Sequence, residues 1–204
     1  MNPKVMMVVA LCAACVATTA FAEDDFGIES ASPVAIADPV NPQPGMMLRT
    51  YRLDKFMKAE DLKSSISKLP SRPAAKTLVD KEEEFSLKQF GKSDAQVGMW
   101  AGFMKCKLTG VYTLTLVQPT KSRIPAGMGG YSLRINGKVA IAAGWRETSV
   151  DVNLKAGLNK VELVCQFGKA PALSISYKPK DSTSDARPIG PKDLYHDQKP
   201  EEEW

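Results

Sequence analysis

Between residues 98 and 177 the chain alternates apolar and polar residues in short runs separated by turn residues. In the run 110–116, Tyr112, Leu114 and Leu116 share one face, and the intervening residues share the other. A period of two is typical of a half-buried β-strand, because successive side chains point to opposite faces of a sheet. The same period recurs at 131–135, 150–154, 161–167 and 173–177. The pattern therefore predicts an all-β fold, an antiparallel β-sandwich of jelly-roll type.

One tight turn and one helix interrupt the strand pattern. Asn136–Gly137 follows a predicted strand and provides the two residues of positive φ that a two-residue hairpin requires. Upstream of the strands, apolar residues recur at i, i+4 and i+7, in Leu62, Ile66 and Leu69. This spacing predicts one short helix near residues 59–69, which Pro70 ends.

Residues 1–22 have the pattern of a secretory signal peptide. Lys4 supplies a positive start, an apolar stretch follows, and Ala20–Ala22 fits the small-x-small rule for peptidase cleavage. Cleavage at this position predicts a secreted protein, or one in the periplasm or cell envelope. A lipid anchor at Cys15 is a rival interpretation with weaker support, because Cys12 stands where a lipoprotein signal has leucine.

Three segments follow the predicted signal peptide. Residues 23–43 are rich in proline and poor in large apolar groups, which predicts a disordered tether. Residues 44–195 contain the strand pattern and are predicted to form one folded domain. The closing residues 196–204 are acidic and are predicted to be mobile. No segment after the signal is apolar enough to span a bilayer, so we expect no transmembrane segment.

Charge excludes one class of partner. The chain carries 27 Lys and Arg against 23 Asp and Glu, a formal net charge of +4. The two signs are mixed, and Lys105, Lys107 and Lys160 alternate with apolar residues as outward side chains of strands do. Because there is no basic stripe, we expect no nucleic-acid partner.

Two of the four cysteines, Cys106 and Cys165, follow the predicted signal peptide, and both lie on apolar faces of predicted strands. An even count in an exported chain permits a disulfide between them. Closing that loop would stabilise the fold by about 4 kcal/mol. The alternative is two buried free cysteines that pack as small apolar groups. The sequence leaves both alternatives open.

The titratable residues do not assemble into a catalytic set. His196 is the only histidine and lies in the predicted tail, whereas a serine hydrolase needs its base held against the nucleophile. Asp151 and Glu162 are candidates for a glycosidase carboxylate pair, but both are predicted at outward, solvated strand positions. We therefore expect that the protein is not an enzyme, and a hydrolase with an unrecognised site is the least favoured alternative.

Several segments in a fixed order carry a family resemblance. They are Pro44–Tyr51, Val97–Phe103, Leu108–Leu114, Tyr131–Lys138 with Leu154–Gly157, and Ile189–Tyr195. Together they resemble the protective-antigen-type (PA14-like) β-sandwich domain over about residues 44–195. The resemblance implies that Trp100 lies in a core strand. It also implies a binding domain, because this sandwich recurs in toxins, flocculins and glycan-active enzymes.

The resemblance breaks at the calcium site of the carbohydrate-binding branch. That branch has two adjacent aspartates just before the hairpin, where this chain has Gly127–Gly130. Calcium requires several oxygen ligands, usually with carboxylates among them. Residues 118–130 contain no acid, so calcium is disfavoured and we expect no cofactor.

Five residues are candidates for ligand contact: Trp145, Arg146, Arg123, Arg134 and Asn136. Trp145 and Arg146 lie between strands, where an exposed indole beside a forked cation would offer a binding surface. The alternative is that Trp145 caps the end of the sandwich. Arg123 and Arg134 are candidates to engage carboxylate or phosphate near the glycine loop, unless they belong to a solvated surface.

These observations favour a non-catalytic exported module that binds glycan or another envelope or extracellular polymer. The alternative is a structural or assembly subunit that docks to other envelope proteins. It would use the tether or an exposed sheet edge, since an unpaired strand edge can pair with another chain.

Overall fold

The structure is a computed structural model and describes residues 39–87, 96–118, 130–167 and 172–197. The predicted signal peptide, most of the predicted tether and the candidate Arg123 lie outside the described residues. The alternative lipid-anchor residue, Cys15, also lies outside them.

The described chain is built mainly of strands. They are β1 (Pro42–Pro44), β2 (Met46–Arg52), β3 (Lys76–Asp80), β4 (Phe85–Ser86), β5 (Gln96–Cys106), β6 (Gly110–Val117), β7 (Tyr131–Ile135), β8 (Lys138–Gly144), β9 (Glu147–Leu154), β10 (Gly157–Phe167), β11 (Ala172–Pro179), β12 (Arg187–Ile189) and β13 (Tyr195–Asp197). One α-helix, α1 (Ala59–Lys68), continues into a 3₁₀ turn at Leu69–Ser71. A second 3₁₀ turn covers Pro191–Asp193.

The strands form two sheets that pack face to face. The larger sheet has the order β1-β13-β5-β10-β7-β8, and β2 joins it by pairing with both β5 and β3. The smaller sheet has the order β12-β11-β6-β9, with β4 paired to β11. The strand pairs are antiparallel. The predicted antiparallel sandwich is confirmed, and so is the short helix.

The main core lies between the two sheets. Trp100 is fully buried there, as predicted, and its ring meets Phe85 edge-on with centroids 5.6 Å apart. The indole Nε1 donates to Oδ2 of the buried Asp80 at 2.7 Å, and Oδ1 of Asp80 accepts from the Glu82 backbone N–H at 3.0 Å. The buried polar groups of this cluster are therefore paired, as a dry core requires.

Helix α1 covers the outer face of the larger sheet and forms a second core with it. The apolar residues of that core are Tyr51, Leu62, Ile66, Leu69, Val97, Met99 and Val164. Because a third layer lies on this face, β10 is buried on both sides over residues 161–166. In the described part of the chain, no helix is both long enough and apolar enough to span a bilayer.

The prediction that Glu162 is solvated was wrong. Glu162 is only 8% exposed, and its carboxylate lies 3.1 Å from the ammonium of Lys160. It lies on a central strand, opposite Ala101 on one side and Arg134 on the other. The strand pattern correctly placed it on the outer face, but α1 packs against this sheet. Asp151, in contrast, is exposed as predicted.

The folded domain extends slightly beyond the predicted limits at both ends. Pro42 and Gln43 of the predicted tether, with Pro44, pair with Tyr195–Asp197, so the first and last strands of the described residues are adjacent. His196, placed in a mobile tail by the sequence, is therefore 7% exposed within β13. The composition of these segments is polar, but backbone pairing with each other and with β5 holds them.

The alternative of two free cysteines is the correct one. Cys106 and Cys165 are both buried and unbridged. Cys165 lies opposite Gly98, eight residues along β5 from Cys106. Eight residues of strand span about 27 Å, whereas a disulfide needs Cα atoms within about 7 Å. The two thiols lie at opposite ends of one strand pair, so the fold excludes a bridge between them.

Candidate functional site

The sandwich has two chemically different ends. At the end that we call the loop end, Gly144 lies opposite Tyr131, and Gln166 donates its backbone N–H to Gly130. The segment between β2 and α1 also lies here, since Arg52 and Phe167 are both opposite Gln96. The other end, which we call the turn end, carries the Asn136–Gly137 hairpin and the turn at 155–157.

The β8–β9 turn places Trp145 and Arg146 at the loop end. Trp145 is 40% exposed, and the guanidinium carbon of Arg146 lies 4.3 Å from the centre of the indole. Arg146 has a φ of 59°, a left-handed conformation that few residues other than glycine adopt. Its carbonyl accepts from the Gln118 backbone N–H at 2.7 Å, which holds the turn in this shape.

Tyr131 supports the same turn from inside the core. Its hydroxyl lies 2.9 Å from Oγ1 of Thr148 and 3.3 Å from the carbonyl oxygen of Arg146. Burial raises the pKa of Tyr131, so the phenol stays protonated and remains able to donate. A side chain at Gly144 would overlap the Tyr131 ring, so the close approach of the two strands requires glycine there.

Two buried glutamines connect this turn to the β2–α1 segment. Gln118 donates its Nε2 to the Gln166 carbonyl at 3.0 Å. Gln166 in turn accepts from the Met57 backbone N–H at 2.8 Å and donates Nε2 to the Met57 carbonyl at 2.9 Å. This paired contact fixes the backbone of a segment that belongs to neither sheet. Sequence reasoning missed both glutamines, and the available signal was that Gln166 is a polar residue inside the predicted apolar strand 161–167.

Next to this segment lies a cleft of about 390 Å³, between β2, the chain that follows it, and α1. Its charged lining residues are Arg52, Asp54, Lys55, Asp61, Lys68 and Arg72. Sequence reasoning missed this cleft. The one signal was that basic residues flank the single predicted helix, which does not by itself distinguish a site from a solvated surface.

The sequence-predicted contact residues do not converge. Strand β8 separates Trp145 from Asn136, and its seven residues span about 23 Å. Both ends of the Asn136 amide are engaged internally, with the Asn159 Oδ1 at 2.9 Å and the Lys160 backbone N–H at 2.9 Å. The structure thus gives Asn136 a role in the turn.

Arg134 is also separate from the Trp145 turn. It lies on β7 one residue before the strand ends, and its Nη2 donates to Oγ of Ser67 on α1 at 3.0 Å. This contact joins the helix to the sheet. Arg123 lies outside the described residues, so of the five candidates the structure places only Trp145 and Arg146 together.

The described residues also show how the titratable groups are arranged. Asp151 lies 2.8 Å from the Lys180 ammonium and accepts from the Thr113 hydroxyl at 2.7 Å. Within ranges 39–87, 96–118, 130–167 and 172–197, no three His, Cys, Asp or Glu residues group closely enough to hold a metal ion.

Comparison with known proteins was informative only at the level of structure. No protein-family model matches the chain, and no curated protein matches it.

Solved structures with a similar fold include the PA14 domain of the MpAFP antifreeze protein, with a TM-score of 0.57 and 12% identity over 80% of this chain and 96% of that one. A PA14 sugar-binding domain from an RTX adhesin has a TM-score of 0.55 and 14% identity over 75% and 98%. The epithelial adhesin 9 A domain of Candida glabrata, in complex with Galβ1-3GlcNAc, has a TM-score of 0.53 and 10% identity over 78% and 93%. At these identities the likeness shows the fold alone: the chain has a divergent PA14-like β-sandwich fold.

Proposed function

We propose that this protein is a non-catalytic carbohydrate-binding module and that the Trp145 turn is its binding surface. The observation that carries the proposal is an exposed indole on a turn fixed by a backbone hydrogen bond from Gln118 to Arg146. Such a ring offers a flat apolar surface without the entropy cost of ordering a flexible loop.

The chemistry of the turn suits a sugar. The C–H face of a pyranose ring packs on an indole, while its hydroxyls need directed hydrogen bonds. The guanidinium of Arg146 lies against the same ring and carries several N–H donors. The pair therefore combines an apolar platform with polar groups that set orientation.

Two structural neighbours support this class of ligand. The RTX adhesin domain is described as sugar-binding, and the Candida glabrata adhesin domain was solved with Galβ1-3GlcNAc. Calcium is not part of the proposal, because residues 118–130 contain no acid. Binding is therefore expected to persist in EDTA.

The test is a glycan array followed by titration calorimetry, with the parent and Trp145→Ala in calcium and in EDTA. Removing the platform should weaken binding by about tenfold or more, the effect of losing a well-placed aromatic contact. Leu108→Ala is the control, since Leu108 is a 72% exposed apolar residue near the turn end. Absence of binding to every glycan, or equal affinity of parent and Trp145→Ala, would contradict the proposal.

We propose in addition that the module is exported. The support is the basic start, apolar stretch and Ala20–Ala22 site of the first 22 residues. N-terminal sequencing of the protein from the envelope or culture medium should begin at Glu23. A mature chain that begins at Cys15 and carries the mass of a lipid would show the alternative anchor instead.

A second candidate function is assembly with another envelope protein. Strand β8 forms an edge of the larger sheet, and Val139 on it is 46% exposed. An unpaired edge of this kind can accept a strand from another chain. Val139→Lys should then abolish a complex seen by size-exclusion chromatography from native envelope, and a monomer in both forms would dismiss this candidate.

A further inference from the structure

We infer that the cleft between β2 and α1 is a second binding site, for a saccharide that carries carboxylate or sulfate groups. It is distinct from the Trp145 turn in residues and in chemistry. Its volume of about 390 Å³ lies in the range of small-molecule sites, which begins at about 300 Å³. The space is therefore sufficient for a ligand of oligosaccharide size to enter in part.

The charge on the cleft favours an anion. Four cations line it, Arg52, Lys55, Lys68 and Arg72, against two acids. None of the four forms an ion pair with a carboxylate in the described part of the chain. Some lysines elsewhere in the described ranges are ion-paired, for example Lys180 with Asp151 at 2.8 Å. The cations of the cleft are therefore free to form charge-assisted hydrogen bonds with a ligand.

The remaining lining favours a sugar over an acidic peptide. Leu53, Phe56 and Met57 line the same cleft and provide apolar surface for the C–H face of a pyranose ring. Asp54 and Asp61 can accept hydrogen bonds from sugar hydroxyls, which the side chains of an acidic peptide such as polyglutamate do not have. A ligand with both hydroxyls and anionic groups satisfies both the acids and the cations of the cleft.

The cleft is also held in shape before any ligand arrives. The paired Gln166–Met57 hydrogen bonds fix one wall. The other wall is α1, which is held by buried Leu62 and Ile66 in the second core. Because both walls are anchored, little ordering cost opposes binding.

The experiment titrates the full chain with a tetrameric oligogalacturonate, its fully methyl-esterified form, a heparin tetrasaccharide and hexaglutamate, all at low ionic strength. We expect at least one of the two anionic saccharides to bind. Comparison of the oligogalacturonate, which carries carboxylates, with the heparin tetrasaccharide, which also carries sulfates, identifies the anionic group that the cleft prefers. The neutral ester should bind at least about tenfold more weakly than the oligogalacturonate if the carboxylate is that group.

The variant Lys68→Glu/Arg72→Glu should reduce binding by at least about tenfold, because it reverses two cations of the cleft. The matched control is Lys107→Glu/Lys138→Glu, which makes the same charge change near the turn end and should retain most of the affinity. Trp145→Ala should also retain it, so failure of the proposed glycan site and failure of this one are distinguishable.

Three results would overturn the inference. One is that neither anionic saccharide binds at low ionic strength. Another is an equal loss in the two charge-reversal variants, which would show general attraction to a basic protein. The last is that hexaglutamate binds as tightly as the better saccharide, which would make this a site for acidic peptides.

Discussion

The two ends of the sandwich use buried amides in different ways. At the turn end, Asn159 is fully buried and bonds to groups of two adjacent turns, so every partner lies within the turns themselves. At the loop end, buried Gln118 donates to the Gln166 carbonyl, and the Gln166 side chain holds the backbone of Met57, which belongs to neither sheet. One end closes the fold, and the other positions surface groups.

This difference agrees with the two binding proposals, which place ligands at or beside the loop end. At the turn end the polar groups bond to each other, as the Asn136 amide does with Asn159 and Lys160. The loop end has an exposed indole, and the cleft beside it is lined by four cations that form no ion pair within the described residues. Variants at the turn end should therefore change mainly the free energy of unfolding, and variants at the loop end should also change ligand affinity.

The largest expected effect is at the turn end. Asn159→Ala removes the hydrogen bonds that the Asn159 side chain makes to Lys155 and Asn136 in a buried site. Unsatisfied buried groups are costly, so the free energy of unfolding should fall by about 3 kcal/mol, measured by urea denaturation. Affinity for ligands at the loop end should not change, since the folded molecules keep that end intact.

The control for this variant is Asn153→Ala, because Asn153 is an exposed asparagine on β9, the strand that precedes β10 in the chain. Its unfolding free energy should stay within about 0.5 kcal/mol of the parent. A similar small loss in Asn159→Ala would show that the turn network does not stabilise the fold.

A smaller loss of stability, combined with a loss of binding, is expected from Gln166→Leu. The variant removes both hydrogen bonds to Met57, but this backbone is only part-buried and can turn to water. The unfolding free energy should fall by about 2 kcal/mol. The loosened wall should also weaken binding of an anionic saccharide to the cleft.

The control for Gln166→Leu is Gln43→Leu, since the Gln43 side chain on β1 donates to the exposed Asn41 side chain. It should change neither stability nor cleft affinity measurably. If Gln166→Leu loses stability but binds the saccharide as the parent does, the anchored wall is not needed for the site.

Chemical modification of Cys106 and Cys165 measures how often each end of the sandwich opens to solvent, because the two buried thiols lie at opposite ends. Burial raises the pKa of both thiols, and most strongly that of the fully buried Cys165 at the loop end. A raised thiol pKa means little reactive thiolate near neutral pH. In the native protein both should resist iodoacetamide, and Cys106 should be modified before Cys165, as measured by peptide mass spectrometry.

Denaturant supplies the control for this labelling, because both thiols should then react fully. Faster modification of Cys165 than of Cys106 in the native state would show that the loop end opens more readily than the turn end. That result would contradict the rigid supports on which both binding proposals depend.

The smallest expected effect is at an exposed ion pair away from both ends. Hydrogen bonds from Lys180 and then Thr113 lower the pKa of Asp151. A lowered carboxyl pKa stabilises the fold above the usual carboxyl pKa, and this contribution is lost as pH falls through the lowered value. Lys180→Ala should raise the Asp151 pKa in an NMR titration with little change in unfolding, because the pair is exposed.

Lys138→Ala, at the Asn136–Gly137 hairpin, is the control and should leave the Asp151 titration unchanged. An Asp151 pKa that does not move in Lys180→Ala would assign the shift to the Thr113 hydroxyl alone.

Much of the fold was predictable because its signals are local. The alternating run 131–135 coincides with β7, and Asn136 and Gly137 have φ values of 49° and 79°, as the predicted hairpin requires. The helix predicted near 59–69 is α1 with its 3₁₀ extension. Each of these features depends on residues that are close together in the sequence, so the local sequence is sufficient to predict it.

The site was less predictable because its parts are distant in sequence. Alternation placed Glu162 on an outer face but gave no sign that α1 would pack there. Arg52 and Arg72 line one cleft only because α1 folds back over the sheet. The sequence predicted Trp145 as a contact residue from its loop position, and that prediction stays untested, whereas Asn136 and Arg134, proposed with it, lie far from it.

The sequence by itself determined the alternating strands between residues 98 and 177, the hairpin and the helix, since backbone dihedral preferences and side-chain alternation act over a few residues. Only the tertiary structure decided which residues meet. The antiparallel pairing of β5 with β10 separates Cys106 from Cys165, and the same pairing assigns each loop to one end of the sandwich. These contacts join residues far apart in the chain, so no local pattern specifies them.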